Sequence, residues 1–257
     1  MPDPIVEVRN LSKSYGRKVA LADVSFAVAP GEIFGILGPN GSGKSTAAEC
    51  VAGLREASGG QIRVLGIDPQ AQPELIRDHV GVQFQEAALH DKITVIEALR
   101  LFAGFYKEPV DIDDLLGELG LTEKRDASFK SLSGGQKQRV SIALALVGNP
   151  KIAILDELTT GLDPQARRTT WDVVRRIRDR GATVLLITHF MEEAERLCDR
   201  LIIIDGGVVI AEGSPRDLIG SVAGARSLED VFVALTSSTG FASTTTTPTA
   251  TPTATEA

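Results

Sequence analysis

Residues Gly38, Pro39, Asn40, Gly41, Ser42, Gly43, Lys44, Ser45 and Thr46 place three glycines, one ammonium and three hydroxyls in nine consecutive positions, a composition suited to gripping a polyphosphate. The glycines permit positive φ and close backbone approach, so that successive N–H groups can point at phosphate oxygens. Lys44 can reach the β- and γ-phosphates, the Ser45 hydroxyl can ligate a Mg²⁺ that bridges them, and Thr46 is placed for the α-phosphate. A second glycine turn, Leu132-Ser133-Gly134-Gly135-Gln136, opens a helix whose first amides, with Ser133 as N-cap and hydroxyl donor, make another anion site. A third segment, Ile152-Ala153-Ile154-Leu155-Asp156-Glu157, ends an apolar run in two carboxylates. There Asp156 can hold the metal shell, and Glu157 can orient and polarise a water for attack on the γ-phosphate. The chemistry implied is hydrolysis of a nucleoside triphosphate, and the two helix ends could face one nucleotide or two.

Such groups need a parallel sheet to bring them to one edge. Residues 32–37 read as a buried strand entering the first loop, and residues 47–54 as the helix leaving it. Residues 5–9 and 24–28 alternate as antiparallel strands do, and residues 60–68 suggest another short strand. From 86 to 130 the period becomes helical, with Val95, Leu99, Phe102 and Tyr106 on one face and Leu115, Leu116 and Leu119 on another. Apolar runs return at 152–155, 183–187 and 201–204, separated by helices expected at 134–148 and 164–180. Leu228, Val231, Phe232 and Leu235 share one face of a last helix. The expected organisation is one unit over residues 1–235, with a helical insertion at about 86–130, then a disordered Thr/Pro/Ala-rich tail over 236–257.

The chain has 257 residues, of which 43% are apolar, and a net charge of −7. A clamp for nucleic acid would show a basic balance, so no nucleic-acid partner is expected. Cys50 and Cys198 lack metal-ligand spacing and read as reduced packing thiols. No apolar stretch approaches the roughly 18 residues that span a bilayer, and the start lacks a leader pattern, so a cytoplasmic location is expected.

The phosphate loop, the LSGGQ turn, the strand ending in Asp156-Glu157 and the run Ile187-Thr188-His189 resemble, in that order, the ATP-binding cassette of ABC transporters, over residues 5–235. The resemblance implies a P-loop NTPase fold of RecA-like type: a mainly parallel sheet, an N-terminal antiparallel β subdomain and an inserted α-helical subdomain. It implies ATP and Mg²⁺ as ligands and two cassettes paired head to tail, as a homodimer or with a related chain. Each ATP would then lie between one chain's phosphate loop and the other chain's Ser133, Gly134, Gly135 and Gln136. By the same resemblance Tyr15 stacks on adenine with Val19 beside it, Gln85 rather than Gln83 touches Mg²⁺ or the attacking water, and His189 contacts the γ-phosphate. His79 and His90 have no such context. Asp163, after Gly161 and Leu162, belongs to the loop that crosses the dimer interface.

The partner implied is an integral-membrane permease on a separate chain, with the cassette peripheral on the cytoplasmic face. The C-terminal segment resembles the subgroup that serves ABC-2-type membrane subunits, including daunorubicin-type drug exporters, which implies export of drugs or other hydrophobic compounds. An importer cassette, or a soluble cassette ATPase of cofactor assembly or repair, is the alternative. A non-hydrolysing nucleotide sensor conflicts with the presence of Glu157 and His189. One departure stands out: the residue after the glutamate is usually proline in this family and here is Leu158. Proline would fix φ there but supplies no catalytic atom. Hydrolysis is therefore expected to survive, and a wild-type phosphate-release rate no higher than that of Glu157→Gln would overturn this.

Overall fold

The structure is a computed structural model that describes residues 3–83 and 89–239. Its strands are β1 (Val6–Tyr15), β2 (Lys18–Val28), β3 (Ile33–Leu37), β4 (Gly59–Val64), β5 (Val80–Gln83), β6 (Ile152–Asp156), β7 (Thr183–Thr188), β8 (Arg200–Asp205) and β9 (Val208–Gly213). Among the described residues they form one nine-stranded sheet in the order β4-β1-β2-β9-β8-β3-β7-β6-β5. The five strands β8, β3, β7, β6 and β5 run parallel. At the other end β1 pairs antiparallel with β2 and β4, and β9 pairs antiparallel with β8. The two parts meet where Asp23 of β2 pairs with Val208 of β9. This is the expected parallel core with an N-terminal antiparallel section.

Parallel strands covered on both faces read as continuous apolar runs because alternate side chains enter different cores. Ile33, Leu37, Ala153, Leu155, Val184, Leu186, Leu201 and Ile203 pack into one core, with α5 (Gly134–Leu146), α6 (Pro164–Asp179) and α7 (Met191–Leu197). Phe34, Ile36, Ile152, Ile154, Leu185, Ile187, Ile202 and Ile204 pack into the other, with α1 (Lys44–Val51) and the inward faces of β1, β2 and β4.

Of the expected insertion, residues 84–88 lie outside the described residues; beyond them come α3 (Val95–Ala103) and α4 (Ile112–Glu118), then short 3₁₀ turns at Thr122–Lys124 and Phe129–Ser131. A capping box between Thr94 and Glu97 starts α3. The helix stops at Gly104, so Tyr106 lies past it, and its ring reaches Gly148 after α5 instead of continuing the α3 face. The strand expected at 60–68 ends at Val64, because Leu65 takes φ 55° and a turn closes between Val64 and Ile67. The helix α9 (Leu228–Thr239) continues past residue 235, where tail was expected. Within it Thr236 points its Oγ1 back to donate to the Phe232 carbonyl at 2.8 Å. The remaining helices, α2 (Pro73–Arg77) and α8 (Pro215–Ser221), are short and begin with proline.

Both cysteines are free and buried, and burial pushes the Cys50 thiol up to about 11, as expected of packing thiols. The helix α5 lies so close to β5 that a Cβ on Gly81 would sit 1.9 Å from the Ala145 carbonyl oxygen. That contact is backbone and cannot swing aside. Gly81→Ala is therefore expected to lower unfolding free energy by about 1–3 kcal/mol, measured by denaturant titration.

Candidate nucleotide site

Leu37 pairs with Thr188, and Asp156 with Ile187, so the chain leaves β3, β6 and β7 at one edge of the sheet. From β3 it enters the glycine loop and then α1. Gly43 caps that helix at φ 107°, and a Cβ there would lie 2.5 Å from the Ala20 carbonyl oxygen, so this turn admits glycine alone. The loop borders a cleft of about 350 Å³ lined by Tyr15, Lys18, Ala20, Asn40, Gly41, Gly43, Lys44, Ser45, Thr46 and Glu157. Gly38, Pro39 and Ser42 belong to the loop but are not among the residues lining the cleft. Lys44 Nζ donates to the Pro39 carbonyl at 2.9 Å, and the Ser42 N–H donates to the same oxygen at 3.2 Å.

Lys44 and Asp156 are each only 4% exposed. Burial lowers the Lys44 pKa, while the charges of Glu157 and Asp156 pull it back up. Burial raises that of Asp156, and the hydroxyl of Ser45, which donates to its carboxylate, opposes the rise. Asp156 Oδ1 is buried and has no hydrogen-bond partner. An unsatisfied buried carboxylate oxygen beside a serine hydroxyl is a hard-oxygen pair that suits Mg²⁺ completing its shell with phosphate oxygens. Among the described residues no cluster of three or more acidic, histidine or cysteine side chains could hold a metal alone.

Glu157 takes φ 49°, a conformation that non-glycine residues seldom adopt, and its N–H donates to the Ile187 carbonyl at 2.9 Å. Its Oε1 lies 3.2 Å from His189 Nδ1, and its Oε2 accepts from Thr160 Oγ1 at 3.3 Å. Leu158 is fully buried in the core beneath. A buried leucine here anchors the loop that proline would stiffen in the common pattern. Tyr15 presents a ring that is 41% exposed, with Lys13 Nζ and Arg55 Cζ each 5.3 Å from its centroid.

Val19 stands apart from the cleft lining. Lys18 and Ala20 line the cleft, and the alternation of β2 leaves Val19 between them outside the lining and 57% exposed. Gln136 takes part in a capping box: its side-chain Oε1 accepts from the Ser133 N–H at 2.9 Å while Ser133 Oγ accepts from the Gln136 N–H. Gln85 lies outside the described residues, and Gln83 is buried at the end of β5. Lys18, Ala20 and Thr160 were not picked out from sequence. The two-residue period that puts Lys18 and Ala20 on the wall of Tyr15 was a usable signal for the first two.

Ser133, Gly134 and Gly135 border a different cleft of about 370 Å³, together with Arg139, Gly161, Leu162 and Asp163. Asp163 caps α6, accepting from the N–H groups of Gln165 and Ala166 at 2.9 Å each. No residue lines both clefts. Residues 21–160 match the family model described as ABC transporter.

The chain belongs to the ABC transporter family.

The cassette is 43% identical, over 87% of its own length and 72% of the relative's, to the Nod factor export ATP-binding protein I of Rhizobium etli. A solved ATP-binding subunit of an ABC transporter superposes with a TM-score of 0.80 at 33% identity, covering 90% of this chain and 99% of that one. A dimeric cassette in a post-hydrolysis state, bound to ADP and phosphate, superposes with a TM-score of 0.72 at 28% identity, covering 81% and 98%. The cassette is thus the ATP-binding and ATP-hydrolysing subunit of a transporter, in a family whose cassettes act as dimers alongside membrane components. A buried ammonium at this loop can supply charge-assisted donors to phosphate, and Lys44→Ala is expected to weaken ATP binding roughly 10- to 100-fold. Equal affinity of the two proteins in a fluorescent-nucleotide titration would overturn that assignment.

Proposed function

We propose that two copies of the cassette close head to tail over two ATP molecules and that this closure, reset by hydrolysis, drives export through a membrane subunit on a separate chain. The observation that carries the reading is the separation of the two glycine turns. Each opens its own cleft within one chain, so a nucleotide gains both sets of helix-end amides only from two chains.

In this reading Tyr15 stacks on adenine, and the amides of Gly41 and Gly43 with Lys44 hold the β- and γ-phosphates. Ser45 and Asp156, with Gln85 by the resemblance, would hold Mg²⁺, which would supply charge neutralisation at the phosphates. Glu157 accepts the proton of a water whose oxygen attacks the γ-phosphorus. The bond to the β–γ bridging oxygen breaks, and ADP and phosphate leave. His189, 3.2 Å from Glu157, steadies that carboxylate and reaches the γ-phosphate. Ser133, Gly134, Gly135 and Asp163 act on the partner's nucleotide.

Export is favoured by the Nod factor exporters among the relatives, and by the C-terminal segment noted above. Among the described residues no helix is long and apolar enough to cross a membrane, which supports placing the path in another subunit. That subunit selects the hydrophobic compound carried.

Glu157→Gln with ATP is expected to sediment as a dimer, and adding Ser133→Arg is expected to return it to monomer with ATP binding retained. A monomeric Glu157→Gln protein at saturating ATP would count against the head-to-tail reading. The same variant used as bait in solubilised membranes is expected to recover a multi-helix membrane subunit. Recovery of soluble proteins alone would favour a role in assembly or repair.

A further inference from the structure

Beneath His189 and Glu157 lies a buried acid that the mechanism above does not use. Glu193 on α7 is fully buried, and its Oε1 accepts from the indole N–H of Trp171 on α6 at 3.0 Å. The hydroxyls of Thr188 and Thr159 stand near enough to the same carboxylate to draw its pKa down. Thr188 Oγ1 already accepts from the Phe190 N–H at 3.0 Å, which leaves its own proton for Glu193. Among the described residues Thr159 Oγ1, Arg167 Nε and Glu193 Oε2 are all buried without a hydrogen-bond partner, so two donors stand near the one unengaged carboxylate oxygen.

The sequence positions give this cluster its meaning. Thr188 immediately precedes His189, and Thr159 follows Glu157 by two residues. The carboxylate therefore bridges the two chain segments on which the reacting side chains stand. An ionised carboxylate can accept from three donors at once, which no neutral side chain of similar size does. From the other side, Arg167 of α6 places its guanidinium carbon 5.1 Å from the Phe190 ring centroid, and that ring lies 4.0 Å from the ring of His189. Burial pushes the Glu193 carboxyl up, and Thr188, Trp171, Thr159 and the charge of Arg167 draw it back. The donors around it are thus arranged to offset the cost of placing an acid there.

We propose that Glu193 is a positioning residue for hydrolysis: it ties the Thr188 and Thr159 segments to α6 and so sets the reach of His189 and Glu157 toward the γ-phosphate. It touches neither nucleotide nor water, so its effect falls on turnover and not on ATP affinity. The inference rests on Glu157 and His189 acting as proposed above.

The test compares Glu193→Met, which keeps length but accepts no hydrogen bond, with Glu193→Gln, which keeps an acceptor for Trp171. Steady-state ATPase kinetics, ATP affinity and thermal melting are measured on each, alongside wild type and Glu157→Gln. For Glu193→Met, kcat is expected to fall about tenfold or more with ATP affinity within about twofold. Glu193→Gln is expected to recover most of that loss. Trp171 is the single tryptophan in the chain, so its emission reports directly on the bond to Glu193 and is expected to shift in Glu193→Met. Should Glu193→Met not fold, Thr159→Val serves, with the same expected fall in kcat. Wild-type kcat in the folded variant, or a parallel loss of kcat, ATP affinity and melting temperature, overturns the proposal. If Glu157→Gln itself hydrolyses at the wild-type rate, the failure belongs to the reading of Glu157 and not to Glu193.

Discussion

Everything at the first cleft depends on the register of three parallel strands. Pairing Leu37 with Thr188 and Asp156 with Ile187 ends β3, β6 and β7 at one level. The Glu157 N–H then extends the ladder by one more bond to the Ile187 carbonyl. A slip of one residue would send each side chain to the opposite core and carry Asp156 away from Ser45. The two cores prevent it, because every position of β3, β6 and β7 is buried. Apolar packing thus fixes where the charges stand.

Those charges are held at a cost that they share. Lys44 and Asp156 are each displaced by burial toward their neutral forms, and each is drawn back by its neighbours, Lys44 by Glu157 and Asp156, and Asp156 by the Ser45 hydroxyl and Lys44. A site dry enough to strengthen electrostatics toward phosphate is dry enough to penalise isolated charges. The positive φ at Gly43 has a related origin: the loop must pass close to the Ala20 carbonyl for its amides to converge, and only a residue without a Cβ can do so.

The parts most legible in the sequence were those where backbone geometry dictates residue type. The glycine loop, the serine cap of α5 and the apolar runs of β3, β6, β7 and β8 are such parts, and they placed Lys44, Ser45, Asp156, Glu157 and Ser133 on the right elements. Side-chain direction was less legible. Strand alternation leaves Val19 outside the lining of the first cleft, and a capping box engages the side-chain oxygen of Gln136, neither of which local pattern shows. Glu193 was hidden for a different reason. It follows Glu192 on a short helix, and a pair of adjacent acids reads as a solvated face until Trp171 and the threonines are seen packed around one of them. Whether the two helix ends face one cleft or two is set by tertiary packing, which local pattern does not encode.

Leu158 fills the position where a pyrrolidine ring would restrain the loop through covalent geometry, which is indifferent to temperature and solvent. Here the neighbouring residue instead buries an isobutyl group in the core, alongside the Glu157 N–H bond to Ile187. Hydrophobic anchoring weakens on cooling and in chaotropic solutes, and strengthens in solutes excluded from protein surfaces. The order of the hydrolytic loop is in this way joined to the same solvent properties that govern the cohesion of the whole molecule, so that medium and mechanism are not independent variables for this cassette.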